Sequence, residues 1–152
     1  MERVSKGNSV DRFLEDYCVL DLETTSIYLF SAEIIEISVI KVRGNIVVDT
    51  FNTLVNPHCH IPESATAINH ITDDMVCNAP DLGSVLYPFL KFVGDDVIVG
   101  YNNAAYDMNL LYDKLLALCN VTFSNDYLDV LHCVQRCPLE LPNYKLESLS
   151  KH

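Results

Sequence analysis

Val19-Leu20-Asp21-Leu22-Glu23-Thr24-Thr25 is a short apolar run that ends in two carboxylates two residues apart. Side chains alternate faces along a strand, so a strand from Tyr17 sends Asp21 and Glu23 to the same side, about 7 Å apart at the backbone. Two acids side by side at the end of a hydrophobic strand repel each other and are costly to desolvate. A hard divalent cation with oxygen ligands, Mg²⁺ or Mn²⁺, relieves both costs. The same pair also occurs where a strand simply runs out into solvent, so D-x-E alone does not decide the chemistry. A third acid, Asp107, precedes the apolar stripe Leu110, Leu111, Leu115 and Leu118 of a predicted helix and heads its buried face. An acid there is favoured by the helix dipole alone, but one aimed at a sheet needs a partner.

The elements that would position these acids follow from periodicity. Tyr17 to Leu22, Glu33 to Arg43 and Ile46 to Val55 read as three successive strands, and Arg43-Gly44-Asn45 as a hairpin turn between the last two. The start is therefore antiparallel. Pro57 and Pro62 break extended structure, Ser64 to Asn69 reads as a short helix, and Thr72-Asp73-Asp74-Met75 as a helical turn capped by Thr72. Asp81 to Phe92 is a longer amphipathic helix that Pro88 is expected to distort. Val97 to Gly100 reads as a buried strand leading through Tyr101-Asn102-Asn103 into a helix from Ala104 to Cys119. Asn125 to Leu128 is a last short strand, followed by a helix from Asp129 to Arg136, a loop at Pro138 and Pro142, and a helix beginning at Lys145. Residues 1–11 read as a flexible leader and 12–152 as one domain, with no internal repeat.

Composition bounds the function. The chain is 49% hydrophobic and 20% charged, a globular profile, and no apolar run is long enough to span a bilayer. The polar N terminus lacks the apolar centre of a signal peptide, which makes a cytoplasmic setting the default. Six scattered cysteines fit free thiols in a reducing compartment better than a disulfide framework. His58-Cys59-His60 and the Cys133, Cys137 pair each lack a second pair at zinc-site spacing. A net charge of −11 argues against a broad basic nucleic-acid surface. It leaves room for an enzyme that meets a phosphodiester through bound cations.

Three blocks in order, Asp21-Leu22-Glu23-Thr24-Thr25, Ala67-Ile68-Asn69-His70-Ile71-Thr72-Asp73-Asp74-Met75 and Val99-Gly100-Tyr101-Asn102-Asn103-Ala104-Ala105-Tyr106-Asp107, resemble the DEDD superfamily of 3′-to-5′ exonucleases, closest to its DnaQ-like proofreading branch. The resemblance implies an α/β, RNase H-like fold: a mixed five-stranded sheet with an antiparallel first three strands and flanking helices. It implies that Asp21, Glu23 and Asp107 are catalytic ligands of two Mg²⁺ or Mn²⁺ ions, with Asp21 bridging them. Thr24, His70 and Asn103 are the matching substrate-side positions. In the middle block Asn69 stands where His is frequent and His70 where Gly is frequent; in the third, Asn102 replaces a common His.

The family's last motif, a histidine followed by a fourth aspartate, normally lies downstream of a segment like Tyr144 to Leu149. The 152 residues end at His152 with no aspartate after it, and Asp129 belongs to an upstream element. The expectation is thus three of four metal ligands and no catalytic histidine, in a C-terminally incomplete domain. Loss of a general base costs on the order of 10² to 10⁴ in rate. The leading expectation is therefore a two-metal 3′-to-5′ exonuclease domain acting on a DNA or RNA 3′ end, weak or inactive in this form, and associated with polymerase or helicase components. The alternative is a non-catalytic nucleic-acid-end or protein-binding module of the same fold. A third reading is an unrelated α/β domain with solvated acids.

Overall fold

Alternation along the first strand sets the architecture. In the computed structural model, which describes residues 3–137, 143–144 and 146–149, β1 (Tyr17–Thr24) buries Cys18, Leu20 and Leu22 on one face and leaves Asp21 and Glu23 on the other. β1 pairs antiparallel with β2 (Ile34–Arg43), and β2 with β3 (Ile46–Leu54). Gly44 and Asn45 both adopt positive φ, 55° and 64°, the conformation a two-residue hairpin loop between right-twisted strands requires. β1 then pairs in parallel with β4 (Ile98–Gly100), and β4 with β5 (Tyr127–Asp129). The result is a five-stranded mixed sheet in the order β3-β2-β1-β4-β5.

The core face of β1 and β2 meets α3 (Leu82–Val93) and α4 (Asp107–Cys119), where Phe89, Leu86, Leu111, Leu115 and Phe123 pack against Leu20, Ile37 and Val39. Pro88 does not end α3; it sits on the exposed face, where water can take the carbonyl its missing N–H releases. Leu118 is exposed rather than part of the α4 stripe. A register shift at Glu23/Thr24 leaves Ile34 and Ile35 consecutive and both buried, in different clusters. Ile35 joins Ile61, Ile71 and Val76 in a second small core with α1 (Glu63–Asn69) and α2 (Asp73–Val76), which carry the middle block. Thr72 occupies the N-cap of α2 but its side chain makes no cap hydrogen bond. The Asp73 carboxylate instead accepts the Ile61 N–H at 2.8 Å and pairs with His60.

α5 (Val130–Arg136) is capped by Asp129, which accepts the Leu131 N–H, and α6 is Leu146–Leu149. The loop expected at Pro138 and Pro142, and His152, lie outside the described residues. The polar N terminus differs from a separate leader. Tyr127 N–H donates to Asn8 O at 2.9 Å and Val10 N–H to Tyr127 O at 2.8 Å, so the chain runs along the open edge of β5. A Cβ on Gly7 would lie 1.9 Å from the Asn125 carbonyl oxygen, a close approach only glycine permits. Arg3 binds Asp113 through two hydrogen bonds, of 2.9 and 2.7 Å. These contacts use polar side chains and edge-strand backbone, so hydrophobic patterning gives no sign of them.

Candidate active site

The acids gather where β1 leaves the sheet. Glu23 stands directly opposite Glu36 of β2, and like charges facing each other across strands are unfavourable. Asp21 has its pKa raised, first by loss of hydration and then by Glu36; Glu23 is raised by loss of hydration, by Asp21 and by Glu36, against a hydrogen bond from Asn69 that lowers it. Asp107, the first residue of α4, is pushed up to about 7 by burial and by Asp21, with a smaller push from Asp129; backbone hydrogen bonding at its own N–H and at Leu22 opposes this. The Leu22 bond places Asp107 beside β1. Among the described residues no lysine or arginine forms an ion pair with Asp21, Glu23, Glu36 or Asp107.

α4 begins at Asp107 rather than at Ala104 because the preceding loop is held in a non-helical course. Asn102 has φ 56°, and the buried Asp129 carboxylate accepts the Asn102 N–H at 2.9 Å and the Ala104 N–H at 3.1 Å. Lys6 Nζ donates to the Ala104 carbonyl at 3.2 Å and to Asn109 Oδ1 at 2.7 Å. Burial, then the charge of Arg3, lowers the Lys6 pKa. Tyr106, just before Asp107, shares a 2.8 Å hydrogen bond with Thr24 and donates to the Ser26 carbonyl, tying this loop to the end of β1.

Beside Glu23 a cavity of about 600 Å³ opens, lined among others by Thr24, Ser26, Tyr28, His60 and Ile68. Tyr28 and Phe30 stack at its edge with ring centroids 5.9 Å apart, Phe30 being 90% exposed. The loop carrying them is tied internally, with Ser26 Oγ 3.0 Å from Ser31 Oγ and accepting the Tyr28 N–H at 3.1 Å.

The expected site residues fall into distinct places. Asp21, Glu23 and Asp107 surround the end of β1, and Thr24 is in the cavity wall. His70 is exposed, does not line that cavity, and is the left-handed C-cap of α1 at φ 61°, a conformation that explains why glycine suits the position. From the same block it is Asn69 that turns inward, toward Glu23 and toward the Thr24 carbonyl at 3.4 Å. Asn103 is fully buried, its amide atoms have no hydrogen-bond partner, and its side chain lies where a Cβ on Gly100 would approach within 2.8 Å. Its position is in the interior of the loop and away from the cavity. The sequence reading assigns no site role to Asn69, Glu36, Tyr106, Asp129 or Lys6. Only Glu36, on the polar phase of β2, left a periodic signal.

Among the described residues no three His, Cys, Asp or Glu side chains converge closely enough to form a ready metal cage. In the His58-Cys59-His60 segment, His58 pairs with Asp81 and His60 with Asp73, and all six cysteines are free. The all-oxygen, uncompensated set Asp21, Glu23 and Asp107 nevertheless matches the donor chemistry of a hard dication, in an open arrangement.

The exonuclease family model of the RNase T type matches residues 18–152. The chain belongs to this exonuclease family. Within it, the sequence is 34% identical over 147 residues to the PolC-type DNA polymerase III of Oceanobacillus iheyensis and 35% over 149 residues to that of Bacillus subtilis, covering 95% of this chain in each case. It spans only about 10% of the length of those relatives. The fold matches exonuclease I at a TM-score of 0.77 and 18% identity, over 91% of this chain and 35% of that one. It likewise matches E. coli exonuclease I in complex with a dT13 oligonucleotide, at 0.77, 17% identity, and 91% and 35% of the two chains. The RNase H-like, DnaQ-like exonuclease architecture is thereby established. Among the described residues no helix is long and apolar enough to cross a membrane.

Proposed function

We propose that this exonuclease-family chain hydrolyses the terminal phosphodiester at the 3′ end of a DNA strand, in the cytoplasm and as part of a replicative polymerase assembly. The observation that carries the reading is the group of uncompensated carboxylates, Asp21, Glu23 and Asp107, at the end of β1. Asp21, Glu23 and Asp107 would hold two Mg²⁺ or Mn²⁺ ions. When bound, these supply Lewis acidity and the positive charge that a phosphodiester needs beside a chain of net charge −11. Thr24, in the cavity wall, would meet the terminal nucleoside, and the Tyr106 hydroxyl shares a hydrogen bond with that of Thr24. Asn69 orients Glu23. The exposed Tyr28 and Phe30 rings offer stacking to unpaired bases leading away from the end.

The open spacing of the acids favours a second reading, a module that holds a nucleic-acid end without cutting it. Release of nucleotides from 3′-labelled and 5′-labelled single-stranded DNA and RNA, with Mn²⁺, separates the two. Loss from the 3′ end that vanishes in Asp21→Ala supports hydrolysis. Retention of both labels, with binding of the strand intact, supports the holding module.

A further inference from the structure

The backbone N–H and C=O of Ala104, three residues before Asp107, are each held by a side chain distant in the sequence. The N–H goes to the Asp129 carboxylate at 3.1 Å, and the C=O receives Lys6 Nζ at 3.2 Å. Lys6 also donates to Asn109 Oδ1 at 2.7 Å, and Asn109 Nδ2 returns hydrogen bonds to the carbonyls of Ala104 and Ala105 at 3.3 and 2.9 Å. The second Asp129 oxygen accepts the N–H groups of Asn102 and Leu131, at 2.9 and 3.0 Å. No regular structure holds this loop. Asn102 lies in the left-handed region and Tyr106 offers no side-chain cap to α4. Lys6 in turn is held by its segment: Gly7 lies against Asn125, Tyr112 donates to the Val4 carbonyl, and Arg3 binds Asp113.

We infer that Lys6 and Asp129 are positioning residues that together fix the Asn102–Ala104 loop and so set where Asp107 stands at the end of β1. The N-terminal segment is then a working part of the site. The carboxylate on the Ala104 N–H and the cation on its C=O hold the two successive peptide groups that flank Ala104, which restrains both of its backbone dihedrals as neither contact does alone. The assignment rests on the reading of Asp107 as a site residue. It adds that the geometry of that acid depends on residues that never approach the substrate.

The test compares the unaltered chain with Lys6→Met, Lys6→Arg, Asp129→Asn and Gly7→Ala. Mn²⁺ affinity is measured by titration calorimetry, amide hydrogen exchange at Asn102, Ala104 and Met108 is followed, and thermal melts confirm folding. Loss of a residue that orients a ligand from behind costs about ten- to hundredfold in metal affinity. Lys6→Met and Asp129→Asn are expected to weaken Mn²⁺ binding by that factor and to speed exchange at the three amides, with Lys6→Arg close to unaltered. Asp129→Asn turns an amide N–H against the Ala104 N–H while keeping one oxygen. Gly7→Ala, which lifts the segment without touching Lys6, is expected to behave like Lys6→Met. Mn²⁺ affinity within twofold of the unaltered chain in cooperatively melting Lys6→Met and Asp129→Asn overturns the inference. Should the unaltered chain bind no Mn²⁺, the nuclease reading fails separately and exchange decides: unchanged protection in both variants overturns the positioning role, and faster exchange supports it.

Discussion

Asp107→Asn is expected to stabilise the protein in the absence of metal, and only above a defined pH. The Asp107 carboxyl is raised from 3.8 to about 7 in the folded chain, so the fold holds its proton more tightly than the unfolded chain does. Between those two values stability must fall as pH rises, because the native state binds more protons. Above about 7 the penalty is complete. At about 1.36 kcal/mol per pKa unit it reaches roughly 4 kcal/mol, and solvent at this half-buried position trims it to about 2 kcal/mol. Asparagine has the same shape and no charge, so it removes the penalty at pH 8 and changes little at pH 4, where the folded aspartate is protonated and the unfolded one is about half ionised. For a chain of this size about 2 kcal/mol is a rise of roughly 4 to 8 °C in Tm. Thermal melts in EDTA from pH 4 to 8 read the difference directly. Adding Mn²⁺ at pH 8 reverses the order, since only the carboxylate form gains stability by binding. A Tm gap that is independent of pH would refute the electrostatic reasoning, because a packing effect does not titrate.

Three further changes probe neighbouring parts of the argument. Glu36→Gln removes the acid facing Glu23; cross-strand charge pairs are worth about 0.2–1 kcal/mol, so metal-free stability at pH 7 should rise by that much in urea unfolding, while Mn²⁺ affinity falls. Tyr106→Phe loses the hydroxyl that joins Thr24 and Ser26, at a cost of about 1 kcal/mol, and is expected to raise KM for a 3′ end more than it lowers kcat. Gly100→Ala drives a methyl group to within 2.8 Å of the buried Asn103 side chain, and calorimetry should find it destabilised by about 1–3 kcal/mol.

The order of the elements, the hairpin and the shared face of Asp21 and Glu23 were legible because each rests on local chemistry. Alternation put Asp21 and Glu23 on one face, and Gly44-Asn45 carries the positive φ values its turn demands. What stayed hidden depends on separation along the chain. Asp129 reaches the loop 25 residues before it and Lys6 reaches 98 residues ahead, and neither contact leaves a periodic trace. His70 and Asn103 show a different limit. Both stand in motif positions, yet His70 serves a left-handed cap and Asn103 fills the loop interior, because a motif aligns residue types without stating which way a side chain points.

The arrangement as a whole separates the residues that suffer from the acid cluster from those that hold it. Asp21, Glu23, Glu36 and Asp107 gather at β1 and β2, where loss of hydration and neighbouring acid charge raise the proton affinity of Asp21, Glu23 and Asp107 and weaken the metal-free fold. The anchors are other residues: Leu111 and Leu115 hold α4 to the core, Asp129 and Lys6 hold the loop, and Ile35 holds the helices of the middle block. Mutual repulsion of the acids would otherwise be relieved by movement of the loop, the least regular of the elements that carry them. A rigid loop keeps the repulsion in place until cations arrive to remove it. On this reasoning the same contacts that make the metal-free protein less stable than it could be also determine how tightly it takes up metal. Relaxing the loop and neutralising the acids should therefore move stability and affinity in linked but separable ways.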